Sequence, residues 1–315
     1  MTATSIPPVT TTTPPPVPTA PSTAPVTTTA PPATIPNGGP RRDLPVASGH
    51  FTWIDTSRQT STGTGTVLAP NRTLPTTVWY PASAGGPWPL VVFGHGFRVG
   101  PAPYARLCRQ WASAGYVVAA PSFPLSDESV AGANLDESDI SNEPGDMSFV
   151  VTQLLSLAAR PAGADNPLSG RVDAHRVAAA GHSDGATASV YLGYAPGYRD
   201  QRLRAVIALS ADPFPDRASV PGSVPMLSVH GDADSVVPFS NAQRLIDQVQ
   251  TRRVFLVLHG ANHLPPIEGD TAWTPIVDRV TIDFLDRYLA DRTSTDDAIV
   301  ADANQPALAT LTLRQ

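Results

Sequence analysis

Apolar and polar positions fall into a regular succession from about residue 46 onward. Pro89–Gly94, Tyr116–Pro121, Arg176–Gly181, Ala205–Ser210, Val224–His230 and Arg253–Leu258 are short apolar runs without alternation. Such runs suit strands buried on both faces of a parallel sheet. His50–Asp55 alternates, and Thr76–Pro81 is β-branched and aromatic and closed by proline, so both read as further strands. Between the runs lie segments of helical spacing. Pro103–Ala114 carries Tyr104, Leu107, Cys108 and Trp111, and Gly115 stops it. Met147–Leu157, the small-residue segment Asp184–Tyr194, and Ser240–Val249 follow. Thr274–Ala290 is strongly amphipathic through Ile276, Val277, Val280 and Phe284. Strands alternating with helices over short linkers predict an α/β domain with a mostly parallel sheet of about eight strands and helices on both faces.

Three stretches stand outside this succession. Residues 1–45 are dominated by Thr, Pro, Ala, Ser and Val, which gives extended polyproline-like chain, so a disordered tail or linker is expected there. Ser122–Gly145 is rich in Asp and Glu and reads as a loop, either a solvated surface insertion or one wall of a cleft. Residues 291–315 form an extension of uncertain structure, in which Leu308–Leu313 is either an added edge strand or frayed chain. The catalytic domain is therefore placed at 46–290.

Composition narrows the functional classes. The chain has 21 basic residues, all arginine, and a net charge of −6, which argues against nucleic acid or an anionic membrane as partner. No run of about 18 apolar residues is present to cross a membrane. The single cysteine, Cys108, cannot form an internal disulfide and reads as a small buried residue. No signal peptide is visible after Met1, yet a Thr/Pro tract resembles a stalk, so a secreted or envelope-associated protein is expected. A monomer is expected.

The candidate chemistry lies in Gly181-His182-Ser183-Asp184-Gly185, between a buried strand and a helix. A G-x-S-x-G segment in that context forms a tight turn that lifts a serine hydroxyl above the sheet at a helix N-terminus. Ser183 is the candidate nucleophile. It needs a neutral histidine to take its proton and a carboxylate to fix that histidine's tautomer. His263, a few residues past the last strand in Gly260-Ala261-Asn262-His263, is the candidate base; His230 and His259 are placed as structural. Asp234, in the loop after His230, is the candidate acid, with Asp212 and Asp232 as alternatives. Two N–H donors should hold the oxyanion: Asp184, after the nucleophile, and Phe97, in Gly94-His95-Gly96-Phe97. His95 reads as a buried brace. These roles predict hydrolysis of carboxylic esters through an acyl-enzyme, with no metal or organic cofactor. Activity should fall on acidification, because only a neutral imidazole accepts the proton.

Over residues 48–290 the chain resembles the α/β-hydrolase superfamily. Val172–Ser183, Gly94–Phe97, Asp234–Pro238 and Gly260–His263 are similar to the elbow approach, oxyanion turn, acid loop and base loop of bacterial cutinases and polyester hydrolases. Val78–Pro81 and Phe93–Phe97 also resemble dienelactone-hydrolase-like and platelet-activating-factor-acetylhydrolase-like esterases, in which the acid sits near Asp212. The resemblance implies Phe97 as a substrate contact, and an aromatic after the strand that follows the elbow, for which Phe214 is the nearest ring. Asp184 stands where polyester hydrolases commonly carry Met, and their paired C-terminal cysteines are missing. Ala211–Ser223 is too short for a helical cap, so the cleft should be open to bulky or polymeric esters. Alternatives are a small-ester hydrolase, a peptidase or other acyl hydrolase, and a catalytically silent binding module on the same scaffold.

Overall fold

The computed structural model of the chain describes residues 42–163, 166–213, 224–264, 267–291 and 296–314. The described strands, in chain order, are β1 (Val46–Asp55), β2 (Thr60–Ser61), β3 (Val67–Ala69), β4 (Arg72–Pro81), β5 (Trp88–Gly94), β6 (Val117–Pro121), β7 (Val172–His182), β8 (Leu203–Leu209), β9 (Met226–Gly231), β10 (Arg253–Leu258) and β11 (Ala309–Arg314). Nine of them form one sheet in the order β1-β4-β6-β5-β7-β8-β9-β10-β11, and β2 with β3 make a separate small pair. The six strands from β6 to β10 are parallel; β1, β4 and β11 run antiparallel to their neighbours. This is the α/β-hydrolase architecture. The ninth strand is β11, which comes from the extension beyond residue 290.

The helices are α1 (Ala105–Ser113), α2 (Glu128–Ala131), α3 (Glu143–Ala158), α4 (Asp184–Tyr194), α5 (Phe239–Gln248), α6 (Thr274–Tyr288) and α7 (Asp296–Ala303). The strands explain why both faces need covering. In β5, Val91 and Phe93 enter one apolar cluster with Leu107, Trp111, Val280 and Phe284, so α1 and α6 cover that face. Leu90 and Val92 enter the other cluster with Val150, Leu154, Val190 and Leu245, so α3, α4 and α5 cover the opposite face. A strand apolar on both sides leaves no alternation to read, which is why these runs were continuous. From β5 the chain crosses to β6 on one side, then returns past β5 to β7 on the other. Crossovers that diverge in this way leave a crevice at the carboxyl ends of β5 and β7, where α/β proteins place their ligands.

The segment Ser122–Gly145 is not a plain solvated insertion. It holds α2 and two single 3₁₀ turns, Gly132–Asn134 and Glu137–Ser141, and α3 begins at Glu143, before the expected Met147. Asp127, Asp139, Glu143 and Asp146 are all buried. Arg72 on β4 is buried with them and bonds both oxygens of Asp139 (3.0 and 2.8 Å) and of Asp146 (2.8 and 2.6 Å). Arg58 adds a bond of 2.7 Å to Asp146. Asp139 and Asp146 are thus held inside by guanidinium groups from another part of the chain, as buried carboxylates require, whereas Glu143 accepts from the Ser126 hydroxyl and Asp127 from Ser129. Cys108 is buried in α1, and burial pushes its thiol well above the usual range. No helix among the described residues is long and apolar enough to cross a membrane.

Candidate active site

At the end of β7 the chain reverses through Ser183, whose φ of 55° and ψ of −125° are unusual for a residue with a side chain. Two glycines permit that turn. A Cβ on Gly181 would run into the Gly185 carbonyl, and one on Gly185 would run into the backbone of Gly94 on β5. Ser183 N–H donates to the Leu209 carbonyl at 3.0 Å, which ties the turn to β8, and α4 starts immediately after it. Such backbone strain is found where the surroundings over-determine it, most often at functional sites.

Asp234 and His263 are brought together from loops after β9 and β10. His263 Nδ1 lies 2.8 Å from Asp234 Oδ2, and Asp234 Oδ1 accepts the Val236 and Val237 N–H groups at 2.9 Å each. A carboxylate only accepts, so His263 Nδ1 carries the hydrogen and Nε2 keeps its lone pair. Burial pushes Asp234 upward, but the His263 bond and the two backbone donors outweigh it and hold the carboxyl below its ordinary value. His230 Nε2 donates to the Val237 carbonyl at 2.9 Å and braces the same loop.

The two alternative acids have other partners. Asp212 Oδ1 accepts from Asn241 Nδ2 at 2.5 Å, and its N–H donates to Thr187 Oγ1 at 3.0 Å. Asp232 accepts from His259 Nδ1 at 2.9 Å and from Gly260 N–H at 2.7 Å. His259 also bonds Thr310 Oγ1 on β11 at 2.7 Å, and its N–H donates to the Leu308 carbonyl at 2.8 Å. Asp232 and His259 therefore fasten the loop that carries His263 to the C-terminal strand.

The candidate oxyanion turn follows β5. Gly96 N–H donates to the Tyr104 hydroxyl at 2.9 Å, and its carbonyl lies 2.9 Å from His95 Nδ1. His95 Nε2 in turn accepts the Phe123 N–H at 2.9 Å, so the ring is the expected brace, and burial lowers its pKa to about 4. A Cβ on Gly96 would stand 3.2 Å from Ser183 Cβ, so the turn lies against the nucleophile candidate. The N–H groups of Phe97 and Asp184 have no acceptor among the described residues.

A cleft of about 560 Å³ gathers these parts: Phe97, Ser183, Asp184, Asp212 and His263 line it, with Val236 and Leu264 at its apolar rim. A larger, more open depression of about 770 Å³ lies beyond the Arg98–Pro103 turn and contains neither Ser183 nor His263. Four carboxylates, Glu137, Asp184, Asp212 and Glu268, line the smaller cleft, and among the described residues no arginine does. Asp184 is half-buried beside the nucleophile candidate. Burial, then Glu137 and Asp212, raise its pKa to about 6. Phe214 and residues 215–223 lie outside the described residues, so the aromatic expected there has no structural account. Glu137 comes from the acidic segment, which contributes to the cleft wall. No group of three or more His, Cys, Asp or Glu among the described residues is arranged to hold a metal ion.

Sequence reasoning missed two residues around Ser183. His182 packs its ring 4.6 Å from the His263 ring, and its Nε2 lies 3.0 Å from the His263 carbonyl oxygen. Its Nδ1 lies 3.2 Å from the Tyr104 hydroxyl. The only signal was that His182 precedes the nucleophile candidate; Tyr104 read as an ordinary apolar helix position. Chemically, the cleft brings together a serine hydroxyl at a helix N-terminus and a histidine of fixed tautomer, with Phe97 and Asp184 in its lining.

The family model described as PETase, PET hydrolase-like, matches residues 54–313. A search of curated proteins returned no match.

Proposed function

The chain belongs to the PET hydrolase-like family of α/β-hydrolase polyester hydrolases, and from that premise we propose that it cleaves carboxylic esters through an acyl-enzyme on Ser183. Ser183 Oγ attacks the ester carbonyl while His263 Nε2 takes its proton. The Phe97 and Asp184 N–H groups receive the developing oxyanion. The tetrahedral intermediate collapses, His263 returns the proton to the leaving alcohol, and water repeats the sequence to free the acid. Asp234 keeps His263 in the tautomer whose Nε2 is bare.

The observation that carries this reading is the 2.8 Å Asp234–His263 contact in a carboxylate whose other oxygen already holds two backbone N–H groups. Asp234 is thereby pinned, and it pins the imidazole. Asp212 is engaged with Asn241 instead, which favours Asp234 as the acid. The rim residues Val236 (65% exposed) and Leu264 (44% exposed) suit bulky apolar esters, polyesters among them. Secretion belongs to the same reading, since an insoluble polymer can be met only outside the cell.

The test is labelling with a fluorophosphonate beside a hydrolysis panel of p-nitrophenyl butyrate, a long-chain ester and polyester film. Wild type should label on Ser183 and hydrolyse at least the short ester; Ser183→Ala should do neither. Unlabelled folded wild type, or full activity in Ser183→Ala, would overturn the assignment.

A further inference from the structure

We infer that Tyr104 and His182 are positioning residues that couple the oxyanion turn to the loop of the base, through one hydrogen-bonded chain running behind the nucleophile. The inference rests on the proposed serine mechanism and deepens it.

The direction of each bond follows from what each atom can do. The His263 carbonyl oxygen only accepts, so His182 Nε2, 3.0 Å away, carries the hydrogen. In a neutral ring Nδ1 is then an acceptor, and the Tyr104 hydroxyl at 3.2 Å donates to it. The Tyr104 oxygen accepts the Gly96 N–H at 2.9 Å. The chain therefore reads Gly96 N–H to Tyr104 O–H to His182 Nδ1, and His182 Nε2–H to the His263 carbonyl. Each donor is used once and each step has one sense. Tyr104 is 1% exposed and His182 2% exposed, so both side chains are largely shielded from bulk solvent. Burial lowers the pKa of His182 to about 3, which keeps the ring neutral and the sense fixed.

The two ends of the chain are the parts of the site whose placement matters most. At one end, Gly96 is held on both sides: its N–H by Tyr104 and its carbonyl by His95. In a trans peptide the carbonyl and the following N–H point in opposite directions. Holding the Gly96 carbonyl toward buried His95 thus turns the Phe97 N–H away from it, toward the cleft that Phe97 lines. At the other end, the His263 backbone is held by a bond that Asp234 does not provide. Asp234 fixes the imidazole; His182 fixes the chain from which the imidazole projects. An oxyanion donor and a base must both meet one tetrahedral centre, and misplacement of about 1 Å costs on the order of a hundredfold in rate. A chain spanning both sets their separation.

Tyr104→Phe removes only the hydroxyl and leaves the ring packed against Phe93. It should lower kcat on p-nitrophenyl butyrate by about 10- to 100-fold with KM within about threefold. His182→Leu should do the same, and His182→Gln, whose amide can again donate to the His263 carbonyl, should recover several-fold of the loss. Fluorophosphonate inactivation rates should fall in step with kcat. Tyr104→Phe combined with His182→Leu should be no slower than the worse single variant, because a chain broken once is broken. Thermal midpoints measured on every variant separate this from general loosening. The inference is overturned if Tyr104→Phe stays within twofold of wild-type kcat, if the double variant shows the product of the two losses, or if His182→Gln is no better than His182→Leu. The last comparison stands alone should Tyr104→Phe not fold. If wild type itself hydrolyses no ester, the proposed function has failed; if wild type is active and these variants are unaffected, only the coupling has.

Discussion

Replacing Asp234 by asparagine is a nearly isosteric change whose consequence can be worked out atom by atom. Oδ1 of Asp234 accepts two backbone N–H groups, from Val236 and Val237, and Oδ2 accepts from His263. In Asp234→Asn the amide has one oxygen and one NH2. Turning the NH2 toward Val236 and Val237 would oppose donors to donors twice, so the oxygen stays there and the NH2 faces His263. His263 Nδ1 must then accept, the hydrogen moves to Nε2, and the ring can no longer take a proton from Ser183. The expected loss in kcat is about 10⁴-fold, on the order of 5 kcal/mol in the barrier. KM and the thermal midpoint should change little, because shape and loop bonds are kept. Asp212→Asn is the control. Its oxygen can still accept from Asn241, so its rate should stay within roughly twofold. Initial rates on p-nitrophenyl butyrate with both purified variants suffice. If Asp234→Asn kept about a tenth of wild-type kcat while Asp212→Asn lost about a thousandfold, the acid would be Asp212 and the tautomer argument would fail.

Two further outcomes follow from buried charge. Arg72→Leu strips the guanidinium from Asp139 and Asp146 and leaves buried carboxylates only partly compensated by Arg58, so it should cost about 3–5 kcal/mol in urea unfolding; a loss under about 1 kcal/mol would contradict the network's role. For Asp184, the pKa is raised from 3.8 to about 6, so the folded state binds its proton more tightly than the unfolded chain and the ionised form is a liability. Asp184→Asn should therefore stabilise the protein above about pH 6, by on the order of 2 kcal/mol, and by nothing below about pH 4. A thermal-midpoint difference independent of pH would sink that reading. The same variant should improve kcat/KM for esters carrying a carboxylate, by up to about tenfold, and leave neutral esters nearly unchanged.

The features legible in the sequence are those that local pattern determines. β5 through β10 announce themselves because strands buried on both faces must be continuously apolar, and the elbow because its glycines sit two residues either side of Ser183. Less was legible wherever the partner lies far along the chain. Asp139 and Asp146 look like solvated charge until Arg72 is seen beside them, 67 and 74 residues away. Leu308–Leu313 alternates with polar residues, and only pairing with β10 turns Ala309–Arg314 into a strand. Asp212 and Asp234 both end strands near Ser183, so spacing left the acid open; it took bond geometry to give one to Asn241 and the other to His263. Tyr104 and His182 meet across 78 positions, which no local pattern records.

The bond from His259 to Thr310 joins residues 51 positions apart. During synthesis, the proposed base, His263, leaves the ribosome before the segment that steadies its loop. The parallel strands and the elbow can assemble in that interval, while the imidazole still hangs from an unanchored turn. Docking of β11 both covers the open edge of β10 and fastens that turn. A nascent chain would thus form its core first and fasten the His263 loop later, once Ala309–Arg314 has paired with β10.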